Sequence, residues 1–168
     1  MLRHGLEGGD RPPELHTLER VADLTVGYAN ERVQFGRPIA TFQAVAQHLV
    51  RLASETHLAV MAYQVAVAAV SHRGFEGAGL EVGCAKAVAG EAADVGTARA
   101  HQAHGAIGMT QEYDLHQLTR RLWSWREEYG STTAWRREVG RLVASEVDGA
   151  DGERLWQLVN QGSEVAER

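Results

Sequence analysis

Residues 42–70 read FQAVAQHLVRLASETHLAVMAYQVAVAAV. Phe42, Val45, Leu49, Leu52, Thr56, Ala59, Tyr63, Ala66 and Val70 recur in this stretch at steps of three and four. That period lays them along one stripe of an α-helix, over about four heptads. So long an apolar seam has to be buried against other helices, and the stretch predicts an antiparallel up-and-down four-helix bundle of the all-α class. Its most apolar part, residues 58–70, carries Gln64 and falls short of the ~20 residues that cross a bilayer. No membrane contact is expected.

Upstream, Thr41 is the expected N-cap of this helix. Gly36-Arg37-Pro38 is the expected stop of an earlier one, because glycine suits a helix end and proline cannot continue a helix. That earlier helix runs from Glu14 to about Phe35, with Leu15, Leu18, Val21, Leu24 and Tyr28 on its apolar side. Pro12-Pro13 suits its start, where a missing N–H costs nothing. Residues 1–13 read as a flexible leader with no secretory pattern.

Downstream, residues 72–79 form a turn. A third helix runs from about Leu80 to His104, with Cys84, Val88, Ala92, Val95 and Gln102 on its inner face. Gly105 to Gly108 breaks it. A fourth spans about Glu112 to Arg126, and a fifth begins near Thr132 after the break at Tyr129-Gly130-Ser131. The bundle is expected over residues 14–147, followed by a polar linker and short tail helix over 148–168. No strand pattern is evident.

The 168 residues suit one domain, and 44% hydrophobic against 23% charged residues reads as folded rather than disordered. The net charge of -5 argues against a nucleic-acid partner. One cysteine, Cys84, excludes an intrachain disulfide and a cysteine metal cluster; it reads as an inert buried thiol, compatible with a cytoplasmic location.

Chemistry concentrates in three places. In Arg32-Val33-Gln34-Phe35-Gly36-Arg37-Pro38-Ile39 an arginine and an aromatic flank a helix end. Such a pair either grips an anionic planar ligand or caps the helix while the aromatic anchors the core. In His101-Gln102-Ala103-His104-Gly105-Ala106-Ile107-Gly108, two histidines share a helix face, but no Glu-x-x-His accompanies them and no metal is expected. The glycine turn either brings backbone N–H groups near a phosphate or merely joins two helices. In the stretch 123–132, WSWREEYGST, aromatics and two carboxylates meet a glycine break. Such a break can line a site, or simply end a helix.

In order and spacing, these three motifs resemble the C-terminal helical domain of acyl-CoA dehydrogenases. Phe42-Gln43 after the first, Glu112-Tyr113 and Arg120 after the second, and Arg136 after the third complete the likeness. It covers roughly residues 14–147. The resemblance implies α,β-oxidation of an acyl-CoA thioester to the enoyl-CoA: a carboxylate removes the α-proton and FAD takes the β-hydrogen as hydride. It implies FAD contacts from Arg32, Gln34, Phe35, Gln43, Gln102, Gly105 and Ser131, with the cofactor shared between neighbouring subunits. A homo-dimer or tetramer is implied, or a hetero-oligomer with a chain carrying the family's N-terminal helical and β-domains. Those domains lie outside the likeness, so the isolated chain is expected to hold FAD weakly and turn over little.

Two positions depart from the family pattern. Ala106 stands where a second glycine is common. More consequentially, the family's usual base is a glutamate just before the third motif's glycine, and here Tyr129 precedes Gly130. Phenols keep their proton at neutral pH and make poor bases. Glu128 is the neighbouring substitute, and Glu7 is the acid near the distance at which some family members place the base on the first helix. The alternative reading is a flavin-free scaffold or oligomerisation domain.

Overall fold

A computed structural model describes residues 11–147 and residue 157. Most of the expected leader, and the expected linker and tail helix, lie outside the described residues apart from Gln157.

Helix α1 spans Pro13–Glu31, and Pro12 caps it with extended backbone. Its apolar stripe is buried as the period predicts: Leu15, Leu18 and Val21 are sealed and Leu24 and Tyr28 half-buried. The helix stops four residues before Phe35. Arg32 leaves the helical region at φ -72°, ψ 114°, and the chain then forms a small hairpin. Strands β1 (Val33–Gln34) and β2 (Arg37–Pro38) pair antiparallel, Val33 opposite Pro38 and Gln34 opposite Arg37. Two-residue strands are too short to show a period of two, which is why no strand was legible.

A 3-10 turn, Ile39–Thr41, leads into α2 at Gln43–Gly77. Thr41 does not cap α2; its hydroxyl donates back to the Pro38 carbonyl at 2.7 Å. Phe42 holds the N-cap position. The predicted seam of α2 is buried from Leu52 through Tyr63 to Ala66. Gly74, at φ 72°, kinks the helix inside the expected turn.

Helix α3 (Gly79–His104) follows almost at once. Its buried face is rotated in part from the expected one: Ala92 is buried as expected and Val82, Lys86, Gly90, Ala93, Thr97, Ala100 and His104 face inward with it, while Cys84, Val88 and Val95 are half-buried and Gln102 is exposed. The cause is close packing. A Cβ on Gly90 would lie 2.1 Å from Thr132 Oγ1, and one on Gly96 would lie 3.0 Å from Leu18 Cδ1. On this helix it is smallness, not hydrophobicity, that marks the packed face.

After a 3-10 turn at Gly105–Met109 come α4 (Leu115–Glu127) and α5 (Thr132–Val147). The main core joins α1 to α4 through Leu18, Leu52, Ala92, Leu115 and Leu122, and α5 packs on α3. The up-and-down four-helix bundle is thus as expected, with α5 as an added helix. None of the described helices is long and apolar enough to cross a membrane.

Candidate functional site

The C-terminal ends of α1 and α3 meet through rings. Tyr28 stacks on His104 with centroids 4.5 Å apart, and Tyr113 closes edge-on at 5.9 Å from Tyr28. His104 is 4% exposed. Its Nδ1 lies 2.8 Å from the Ala100 carbonyl, so that nitrogen donates, and Nε2 accepts from the Tyr113 hydroxyl at 3.3 Å. Burial lowers the affinity of His104 for a second proton and raises the Tyr113 phenol above its usual range.

This junction brings the first two motifs to one end of the bundle. Arg32 stands one turn beyond Tyr28, its amide bonded to the Tyr28 carbonyl at 2.9 Å, and its side chain is exposed. Gln102 and Gly105 flank His104 and are exposed too. Gly105 has φ +64° and nothing within 4 Å of where a Cβ would stand, so its backbone is open to close approach. Phe35 is 93% exposed, and its φ of 51° is a conformation L-residues rarely hold. It therefore does not anchor the core. The hairpin is held instead by Arg37, whose guanidinium lies 4.3 Å above the Phe42 ring. Phe35 meets the same ring edge-on at 6.0 Å. The Gln34 side-chain amide donates to the Val33 carbonyl, and Gln43 is exposed on the first turn of α2.

The third motif lies elsewhere. Thr132 sits against Gly90, fifteen residues and so about 22 Å along α3 from Gly105. Tyr129 is 62% exposed at φ 60°. Glu128 caps α4 and is half-buried. Ser131 accepts the Ala134 N–H at 3.3 Å, which makes it a helix cap of α5. Arg32, Gln102 and Gly105 thus lie far from the expected base residues Glu128 and Tyr129, while Ser131, also expected at the cofactor, lies with the latter.

Lys86 was missed in the sequence. It is 9% exposed, and its Nζ donates to the Trp125 carbonyl at 3.0 Å. Burial pulls its proton affinity down, while Glu14, Glu128 and Glu127 act in the other direction. It shares a small cleft with Glu14, Leu18, Gly90, Trp125 and Arg126; Arg126 pairs with Asp94 and Glu127. A lone lysine between Val82 and Gly90 on a face of small residues was the available signal.

His101 and His104 are bonded within the fold, His101 to Thr119 at 3.0 Å. Among the described residues, no three His, Cys, Asp or Glu side chains converge on a metal position. Burial, then Glu81, pushes the Cys84 thiol up, as for an unreactive cysteine.

The family profile for the acyl-CoA dehydrogenase C-terminal domain matches residues 14–143. The chain belongs to the acyl-CoA dehydrogenase family. It is 34% identical over 136 residues to the acyl-CoA dehydrogenase IpdE2 of Mycobacterium tuberculosis, covering 80% of this chain and 39% of that protein. The ChsE4–ChsE5 complex of Mycobacterium tuberculosis contains a chain that superposes with a TM-score of 0.73 at 28% identity, over 78% of this chain and 35% of that one. A glutaryl-CoA dehydrogenase in complex with glutaryl-CoA superposes at 0.69 and 29% identity, over 76% and 32%. The chain therefore spans about two fifths or less of these acyl-CoA dehydrogenase relatives.

Proposed function

We propose that this chain is an FAD-binding module of an acyl-CoA dehydrogenase, working with further domains or a partner subunit. The observation that carries the reading is that exposed Arg32 and Gln102 and the open backbone of Gly105 stand at the end of the bundle where Tyr28 stacks on His104, with exposed Phe35 on the adjoining hairpin. This set fits the diphosphate and adenosine part of a dinucleotide. The end of α3 is the negative pole of a helix and does not itself attract phosphate, so the positive charge has to come from Arg32, whose fork suits phosphate oxygens. Gly105 allows backbone approach, and Phe35 offers a flat apolar face. Gln34 is a weaker contact because its side-chain amide already donates within the fold, Gln43 is a further one on the first turn of α2, and Ser131, in the third motif, lies outside this group.

When bound, FAD supplies the hydride acceptor for oxidation of an acyl-CoA to the enoyl-CoA. The chain's own contribution to proton removal would come from the turn after α4. Tyr129 occupies the family's base position but faces solvent as a phenol. Glu128 is the carboxylate on that turn and is partly withdrawn from water, so it is the proposed proton acceptor.

A partner surface accompanies the site. Val50, Leu58, Met61 and Val65 are 65, 53, 61 and 44% exposed, and their spacing puts them on one face of α2. Such a stripe supports assembly with a second family chain or another copy.

Titration of FAD onto the purified chain tests the proposal. Weak, saturable binding is expected, and Arg32→Ala should weaken it by roughly tenfold or more, the scale of a charge-assisted bond. Binding indifferent to Arg32 would remove this site, and no flavin binding at all would favour the scaffold reading. Tight stoichiometric FAD on the chain alone would contradict the need for further domains.

A further inference from the structure

We infer that Lys86 and Trp135 are positioning residues that clamp the α4–α5 turn from opposite sides and so fix where the base position points. The inference rests on the proposed reading of that turn and adds residues that the reading does not contain. The turn has to hold Tyr129 at φ 60° and Gly130 at φ 108°. A non-glycine residue stays in the left-handed region only where its surroundings impose it. Two contacts do so.

On the α4 side, the last carbonyls of a helix lack intrahelical donors. The Trp125 carbonyl receives the Glu128 N–H at 3.1 Å and the Lys86 ammonium at 3.0 Å. A cation at the negative helix end is favourable, and it is delivered by α3, an element rooted in the core. The acids around Lys86 come from two elements, Glu14 of α1 and Glu127 and Glu128 of α4. They keep a charged ammonium tolerable where burial opposes it.

On the α5 side, Trp135 Nε1 donates to the Tyr129 carbonyl at 3.0 Å. The indole lies close against Gly130 and at ordinary contact distance from Gly83. A Cβ on Gly130 would stand 3.1 Å from Nε1, and one on Gly83 of α3 would stand 3.6 Å from the ring. One clamp arm therefore fixes the carbonyl before the turn and the other the carbonyl within it, and both rest on α3. Glu128 lies between them, so its direction is set by α3 and not by the exposed turn itself.

Hydrogen exchange by NMR on the whole chain, without flavin or substrate, tests the clamp apart from the cofactor reading. In Lys86→Met, exchange of the Trp135 indole proton and of the Glu128 and Gly130 amides should rise roughly tenfold or more, while Val21 and Leu52 in the core keep their protection. Lys86→Arg, which retains a cation with donors, should restore slow exchange. Native exchange of the turn in a folded Lys86→Met variant, or no rescue by arginine, would overturn the inference. Should Lys86→Met not fold, Trp135→Phe keeps an aromatic ring, though a smaller one, and removes the donor. Faster exchange confined to Glu128 and Gly130 is then expected, and an unchanged turn would overturn the clamp.

Discussion

Phe35 and Tyr129 are the two non-glycine residues at positive φ among those described, and both stand in motifs that the sequence singled out for chemistry. A left-handed L-residue costs about 1–2 kcal/mol, and Phe35, 93% exposed, regains almost none of it by burial. Phe35→Gly should therefore leave the fold as stable, or more stable by about 0.5 kcal/mol once glycine's greater unfolded entropy is counted. It should nonetheless weaken flavin binding. Urea denaturation beside flavin titration measures both, and a fold clearly destabilised by this change would mean that the edge-on contact of Phe35 with Phe42 outweighs the backbone cost. His101 and His104 give a pH prediction. Both midpoints are lowered, first by burial, then by His116 for His101; for His104 the neighbouring charge of His101 adds to burial while the bond to Ala100 opposes it. The folded state then binds fewer protons than the unfolded state below the ordinary histidine midpoint near ~6.5. Stability is present in full above that pH and falls as the solution is acidified through it. Denaturation midpoints at pH 7.5 and 5.5 should show the drop, and His104→Gln should reduce it.

At the scale of elements, α3 organises the molecule, because four other helices lean on it. Alanine at Gly90 would gain about 1 kcal/mol in helix propensity, yet its methyl would lie 2.1 Å from Thr132 Oγ1 and 3.2 Å from Thr132 Cβ. Those atoms belong to a short, branched side chain that cannot swing away. Overpacking wins, and Gly90→Ala should destabilise by a net of about 1–2 kcal/mol. Thermal unfolding checks the sign: a stabilised variant would show that α5 is free to retreat from α3. The element boundaries taught a related lesson. Helix α1 was expected to run to Phe35, but the chain leaves it at Arg32 to make the hairpin. That hairpin turns Phe35 outward, where a longer helix would have placed it on a helix face.

At the scale of the whole molecule, the exposed face of α2 and the two separated groups of candidate residues point the same way. The groups lie about 22 Å apart along α3, so residues grouped at one end of a chain are proposed to serve a site completed by other protein. Light scattering should then report an oligomer, and Met61→Glu with Val65→Glu should shift it toward monomer while far-ultraviolet dichroism stays unchanged. A monomer at high concentration would count against homo-oligomer formation.

The sequence by itself determined the helices and their order, because helical periodicity is local: residues three and four apart reveal their common face without any partner. The motifs at Arg32, Gln102 and Tyr129 were legible as short runs of residues, and their order and spacing carried the likeness to one family. Only the tertiary structure decided which face of α3 is buried, since a helix of alanines and glycines offers no hydrophobic contrast, and only neighbouring side chains show where closeness is needed. It also decided the contacts of Lys86 and Trp135, whose partners lie thirty-nine and six residues away. Contacts between separate elements, such as Lys86 reaching the end of α4, leave little trace in sequence spacing.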